Sequence, residues 1–312
     1  MASADGESIC ETCREIDFHH LLHHARYDHP RFASLYPSIA QNVRYSPDCK
    51  LCSLIFSGTP SHHLGKMFEL GSFFNAAATG IVRSTIELRI FLPNLIGRFT
   101  SPSGAVFCKL ASDVSQSLKC VQPVHRNWDC DKVRSWLDTC ARCHGTACRS
   151  DSLRVPGMNL IDCANMVIVK AAQETPWLAL SYVWGVDHQK RDLKRYRAGS
   201  RLSMTIPNTI RDAIIVTLRL GYRFLWVDEY CIDQNDEIHR NEQISRMDQI
   251  YQGADLTIVA AAGTNKMYGL PGVGSTKRTE GNVVYIGDVI VFANRIMPHT
   301  ETTRSKWFTR AW

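Results

Sequence analysis

Three apolar runs in the second half of the chain predict the strands of a buried sheet. They are WLALSYVWG (177–185), FLWVD (224–228) and LTIVAAA (256–262), and glycine or an acidic residue closes each one. Between them, apolar positions spaced three and four residues apart predict helices over 207–220 and 237–251. Strands that alternate with helices indicate βαβ units. This half is therefore predicted to be α/β, with a parallel sheet flanked by helices.

Two shorter patterns carry local predictions. Ile244, Met247 and Tyr251 recur at helical spacing, so the helix over 237–251 is predicted to place them on one face. NVVYIGDVIVFAN (282–294) has two apolar runs around Gly287-Asp288, which predicts a hairpin that turns there.

The first half of the chain has a different pattern and predicts an α+β region. STIELRIF (84–91) alternates between apolar and polar residues, and AVFCKLA (105–111) is a candidate partner strand. Eleven of the twelve cysteines precede residue 164. This asymmetry predicts an N-terminal Cys/His-rich α+β region over 1–150 and a second domain over 176–312.

Composition and charge narrow the class of protein. The chain has 312 residues, 45% of them hydrophobic and 21% charged, which is ordinary for a globular protein with a sizeable core. The net charge of +6 is too small to indicate nucleic-acid binding, and no apolar run approaches the roughly 18 residues of a membrane span. The polar N-terminus lacks a signal-peptide pattern, so a cytoplasmic protein is predicted.

Polar and aromatic side chains gather where the predicted parallel strands end. Ligand sites in open α/β sheets lie outside the carboxyl ends of the strands, so these residues are predicted to share one edge and bind a ligand. The candidate ligand-binding residues are Ser181, Trp184, Gly185, Asp228, Asp233 and Gln234. An aromatic platform beside carboxylates and an amide suits a polar, planar ligand such as a nucleotide or a sugar. The alternative is structural, because helix caps, loop ties and core packing use the same residue types.

Charge and thiol patterns near these strand ends leave further alternatives open. The basic run over 190–201 could face phosphates, although a solvated helix face is the commoner meaning of such a run. Cys231, with His239 nearby in sequence, raises a nucleophile hypothesis, but a buried structural cysteine is the favoured interpretation. The chain has no P-loop, no G-x-S-x-G elbow and no H-E-x-x-H motif.

Two C-x-x-C pairs in the first half predict a metal site. Cys10 and Cys13 form CETC, and Cys49 and Cys52 form CKLC. Four thiolates are a ligand set for tetrahedral zinc, so structural zinc is the predicted cofactor. Half-buried thiols without a metal are the alternative. A second cluster, within a helix predicted over 130–148, contains Cys140, Cys143, His144 and Cys148, and for these residues the alternative without a metal is favoured.

The second half resembles the heterokaryon incompatibility (HET) domain family of filamentous fungi. The matching segments are ALSYVWG (179–185), IPNTIRDAI (206–214), FLWVDEYCIDQND (224–236), QISRMDQIY (243–251), LTIVAAAG (256–263), GLPGV (269–273) and FTRAW (308–312). Their order and spacing agree over about 135 residues, and together they are highly specific. The cysteine-bearing first half is similar, more loosely, to the region that often precedes such domains.

The resemblance implies a fold and a role. Family members act in non-self recognition and in the cell death that follows incompatible fusion. The family is also similar to Toll/interleukin-1 receptor (TIR) domains, which implies a TIR-like, flavodoxin-like strand order, and some TIR domains cleave NAD with a glutamate. The last family motif normally continues towards a glutamine and a glutamate. Because the sequence ends at Trp312, the resemblance implies that this HET domain is truncated there, as a fragment or a degenerate paralogue, without the catalytic glutamate.

Two functional hypotheses follow. The first is a signalling or interaction module of the incompatibility response, which acts with protein partners, self-association being one option. The second is a TIR-like NAD-cleaving or nucleotide-binding protein that uses the strand-end residues, with NAD as its substrate. An exposed apolar patch on a helix of the second domain would favour the first, and a deep pocket at the strand ends would favour the second. A zinc-dependent DNA binder is a weaker third hypothesis, because no basic recognition helix accompanies the cysteines.

Overall fold

The chain forms two compact units. A computed structural model describes residues 8–24, 26–27, 40–57, 59, 61–74, 85–91, 105–110, 124–145, 155–185, 196–203, 205–279, 281–294 and 302–309. The first unit is Met1–His125 with Glu280–Met297, and the second is Arg126–Thr279 with Pro298–Trp312. The predicted ranges 1–150 and 176–312 stay a prediction about domain organisation.

The described elements alternate between short helices and strands. The helices are α1 (Glu11–Arg14), α2 (Phe18–His23), α3 (Lys50–Ile55), α4 (Cys130–Cys143), α5 (Asn208–Arg219), α6 (Asp228–Cys231), α7 (Glu237–Ile244) and α8 (Met247–Gln252). The strands are β1 (Arg26–Tyr27), β2 (Ala40–Arg44), β3 (Met67–Phe74), β4 (Thr85–Phe91), β5 (Ala105–Leu110), β6 (Asn159–Asp162), β7 (Val167–Lys170), β8 (Trp177–Ser181), β9 (Phe224–Trp226), β10 (Leu256–Val259), β11 (Val283–Ile286) and β12 (Val289–Asn294). Single 3-10 turns occur at Ser61–His63 and Trp307–Thr309. None of these helices is long and apolar enough to cross a membrane.

The first unit is built on a mainly antiparallel sheet. Its described strands run in the order β1-β3-β4-β5-β12-β11, with β2 also paired to β3. The predicted partners β4 and β5 pair antiparallel, and β11 and β12 form the predicted hairpin, which adds to β5. Apolar residues of the short helices, such as Leu21 and Leu51, share a buried core with Phe68 and Val291 of the sheet.

The sheet of the second unit is mixed, which corrects the prediction of a parallel sheet. Its order is β10-β8-β9-β6-β7. The three predicted strands are parallel neighbours with β8 in the centre, whereas β6 and β7 are antiparallel. The difference arises because β6 and β7 form a hairpin over 159–170, a segment that the apolar pattern did not mark as strands. All five residues of β8 are buried, as expected for a central strand.

The helix predicted over 237–251 is two helices, α7 and α8, and of the predicted face Met247 and Tyr251 pack against the core. The amide of Arg246 donates to the carbonyl of Gln243, three residues back, and this tighter turn rotates α8 relative to α7. As a result Gln243 and Ile250 are the buried residues, and Ile244 is exposed.

Candidate functional site

The ends of β8, β9 and β10 lie side by side. In the pairing register Ser181 lies opposite Val259, and Ala179 lies opposite Trp226. The segments that follow these strands therefore leave the sheet at one edge, which we call the carboxyl edge. Such an edge is the usual location of ligands in α/β sheets.

Trp184 and Asp228 are directly bonded at the carboxyl edge. The indole Nε1 of Trp184 donates to the Asp228 carboxylate, 3.0 Å from each oxygen. The Glu229 amide donates to the same carboxylate at 2.8 Å, and Gln234 Nε2 lies 3.4 Å from the Asp228 carbonyl oxygen. Asp228 is buried and Trp184 is half-buried. The structure thus brings together three of the predicted residues.

Glu229 joins a second network that the sequence did not reveal. Tyr182 donates its hydroxyl proton to Glu229 Oε2 at 2.9 Å, and Lys266 Nζ donates to Oε1 at 2.6 Å. The Lys266 and Glu229 side chains are only about one-fifth exposed, at 20% and 19%. Burial, together with the charges of Asp228 and Glu229, raises the pKa of Tyr182 well above its usual value. Tyr182 therefore stays a proton donor at neutral pH.

Gly185 and Ser181 are in close contact with other segments of the second unit at the carboxyl edge. Gly185 has φ +86°, and a Cβ placed there would lie 2.5 Å from Cβ of Asn265, so only glycine fits. Ser181 is buried, and its Oγ accepts a hydrogen bond from Trp307 Nε1 at 2.8 Å. Trp307 immediately precedes the final motif, FTRAW.

Asp233 makes its contacts in the turn before α7. Its Oδ1 accepts from the Asn235 amide at 3.0 Å, and its own amide donates to His239 Nδ1 at 3.2 Å. His239 Nε2 lies 3.1 Å from the Gly157 carbonyl oxygen, so it is the protonated nitrogen. Asp233 therefore makes a turn contact and does not cap α7, because the N-cap of α7 is Asp236. The ligand-binding role of all six candidates stays a prediction.

Cys231 has the environment of a structural thiol. It is fully buried, and burial raises its pKa to about 12. Its sulfur accepts a long hydrogen bond, 3.4 Å, from the Val227 amide. Both ring nitrogens of His239 have other partners, and the hydrogen bonds of this thiol are to the backbone of Val227 and Leu225.

The structure brings the four predicted metal ligands of the first unit into one cluster. All four Sγ atoms of Cys10, Cys13, Cys49 and Cys52 lie within 4.8 Å of one another, and three of these residues are buried. Cys13 and Cys52 are 3.4 Å apart at sulfur, and Cys10 and Cys52 are 3.7 Å apart. The contact with Cys13 lowers the pKa of Cys52 to about 6. The cluster could hold a metal ion such as zinc.

Three further features are distinct from these sites. In the weaker predicted cluster, Cys143 and His144 are exposed and Cys148 lies outside the described residues. Half of the basic run over 190–201, residues 190–195, also lies outside them. A cavity of about 210 Å³ is lined by residues 155–158, 171–175 and Trp177. Trp177 begins β8, so this cavity is at the opposite end of the strand from the carboxyl edge.

The second unit therefore belongs to the class of α/β domains with a polar cluster at the carboxyl edge of parallel strands. Residues 177–312 match the model of the heterokaryon incompatibility protein (HET) family. The chain is also 37% identical over 82 residues to vegetative incompatibility protein HET-E-1 of Podospora anserina, a match that covers 25% of this chain and 6% of that protein. No solved structure matches the chain significantly. The second half of the chain is therefore similar to the HET family, and the match spans only a small part of the curated relative.

Proposed function

We propose that the chain is a signalling or interaction module of heterokaryon incompatibility, in which binding of a protein partner or of a second copy leads to programmed cell death. The observation that carries this proposal is the exposed apolar surface of α7. Ile238 is 75% exposed and Ile244 is 52% exposed on this eight-residue helix. We take these two exposed isoleucines as the candidate contact points for a partner. The family match and the similarity to HET-E-1 support the biological setting.

The hydrogen bonds at the carboxyl edge also support an interaction role. The carboxylates of Asp228 and Glu229 each accept from two donors within the protein. A carboxylate that is already paired needs no ligand to satisfy it. The simplest role of these networks is to hold the strand ends rigid while α7 makes the contact.

The test is expression in a filamentous fungus from an inducible promoter. The wild-type chain is expected to arrest growth, and Ile238→Asp is expected to relieve the arrest because it places a charge in the contact. Met67→Asp is the matched control, since Met67 is an exposed apolar residue (47%) of the first unit. A folded Ile238→Asp variant that arrests growth as strongly as wild type would contradict the proposal, as would normal growth with the wild-type chain.

A TIR-like nucleotide-binding or NAD-cleaving protein is the second candidate function. The observation in its favour is the position of β8 between β9 and β10. Numbered along the chain, these parallel strands have the order 2-1-3 found at the ligand-binding switch point of flavodoxin-like sheets. Here Trp184 would stack on the ligand. Calorimetry with NAD tests it: binding that is lost in Asp228→Ala supports this candidate, and no heat with the wild-type chain contradicts it.

A further inference from the structure

We infer that Cys10, Cys13, Cys49 and Cys52 bind one zinc ion, and that this ion fastens residues 8–24 to the rest of the first unit. The sulfur–sulfur distances are close to those of a zinc site. With zinc–sulfur bonds of about 2.3 Å, the sulfur atoms of a tetrahedral site are about 3.8 Å apart. Two of the separations are 3.4 and 3.7 Å, and every pair lies within 4.8 Å.

A disulfide or an iron–sulfur cluster fits the four close thiols less well than zinc does. A disulfide has sulfur atoms about 2.05 Å apart, whereas the sulfur atoms of Cys13 and Cys52 are 3.4 Å apart. An iron–sulfur cluster distributes its four thiolates over two or four iron atoms, which requires the thiols to spread farther apart than at a single ion. Soft thiolates also disfavour magnesium and calcium. Since the protein supplies all four ligands, the site is closed and structural.

The four cysteines come from two segments of the chain, and a metal ion would join these segments. Cys10 and Cys13 belong to the start and the body of α1, a four-residue helix, and Cys49 and Cys52 occupy the same positions in α3. Helices this short are unstable alone in water. The Lys50 amide donates to the Ser8 carbonyl at 3.1 Å, which aligns the two segments beside the cluster.

The segment over 8–24 makes further polar contacts with the sheet, and its apolar residues depend on docking. The Asp17 amide donates to Gln41 Oε1 of β2 at 3.0 Å. His19 Nε2 lies 3.0 Å from Asp288 Oδ1, in the turn between β11 and β12, but both side chains are more than half exposed and the pair is weak. Phe18 and Leu21 are buried against the same core as Leu51. Loss of the metal is therefore expected to release this segment, including its buried side chains. This inference does not depend on the proposed function of the second unit.

The experiment uses the full chain purified under reducing conditions. Mass spectrometry of its metal content is expected to find about one zinc ion per chain. Cys13→Ser is expected to lose the ion, and Cys143→Ser is expected to keep it, because Cys143 is an exposed cysteine outside the cluster. Cys10→His is expected to retain zinc, because Cys10 is half-buried and imidazole is an alternative zinc ligand. Chelation should increase hydrogen exchange in residues 8–24 more than in β8.

A measurement on the wild-type chain keeps the inference testable even if Cys13→Ser fails to fold. Cobalt exchanged into the site should give the thiolate charge-transfer and visible bands of a tetrahedral site with sulfur ligands. Zinc well below one ion per chain together with no cobalt spectrum would overturn the inference. Iron in place of zinc would overturn the identity of the metal, and unchanged exchange in residues 8–24 after chelation would overturn the fastening role.

Discussion

The bond between Trp184 and Asp228 offers the sharpest test of how the carboxyl edge is held together. Trp184→Phe removes the indole donor and keeps an aromatic ring, and Asp228→Asn removes the charge and keeps an acceptor. The indole nitrogen is 3.0 Å from both carboxylate oxygens. A hydrogen bond to a charged group contributes about 1.5–3 kcal/mol, and the low end applies because Trp184 is half-buried. The two changes are therefore expected to couple by about 1–2 kcal/mol.

A double-mutant cycle measures this coupling by urea unfolding of the four proteins. Each single variant should lower the midpoint of thermal unfolding of the second unit by about 3–6 °C, since 1 kcal/mol corresponds to about 2–4 °C at this size. Trp177→Phe is the matched control, because the Trp177 indole bonds the Ile250 carbonyl at the opposite end of β8. Its effect should add to that of Asp228→Asn within about 0.5 kcal/mol. Coupling of the Trp184 pair that is no larger than the control would refute the reasoning.

Two further predictions concern pH and backbone conformation. Arg223 lowers the pKa of Asp162 from 3.8 to about 2. The ion pair of Asp162 with Arg223 therefore adds fully to the free energy of unfolding above pH 3.8, and this stabilisation is lost as the pH falls towards 2. Because Arg223 is 56% exposed, the ion pair contributes about 1 kcal/mol. In urea unfolding, the stability difference between wild type and Asp162→Asn should shrink from about pH 6 to about pH 2.5. A difference that stays constant with pH would contradict this prediction. Gly185→Ala should lower the free energy of unfolding by several kcal/mol more than Gly221→Ala does. Both glycines have positive φ, but an added Cβ meets Asn265 only at Gly185. Equal shifts of the unfolding temperature for the two variants would contradict this clash.

The apolar pattern predicted the central part of the second unit because its buried strands are continuous in sequence. β8, β9 and β10 each lie inside a predicted run, and the hairpin over 282–294 turns at Gly287 as predicted. The pattern did not identify β6 and β7, so the sheet is mixed. It also indicated one helix over 237–251, because a single tightened turn at Arg246 leaves no mark in the periodicity.

The candidate site was predictable only where neighbouring strands carry it. Trp184 and Asp228 follow adjacent parallel strands, so their contact follows from the strand pattern. The sequence did not predict the contacts of Glu229 with Tyr182 and Lys266, because they depend on side-chain direction and on the loop after β10. A signal was present in the sequence, since Glu229 directly follows Asp228 and Lys266 comes shortly after the third strand.

The two candidate functions place different demands on the same second unit, and this makes them separable. An interaction module needs the exposed face of α7, whereas a nucleotide site needs Trp184 and Asp228 to accept a ligand in place of their present partners. Ile238→Asp changes α7 and leaves the carboxyl edge intact, because Ile238 is 75% exposed. Trp184→Phe keeps an aromatic face for stacking but removes the bond that orients it. Growth arrest lost only with Ile238→Asp would assign the activity to the α7 surface, and arrest lost with Trp184→Phe at unchanged folding would assign it to the carboxyl edge.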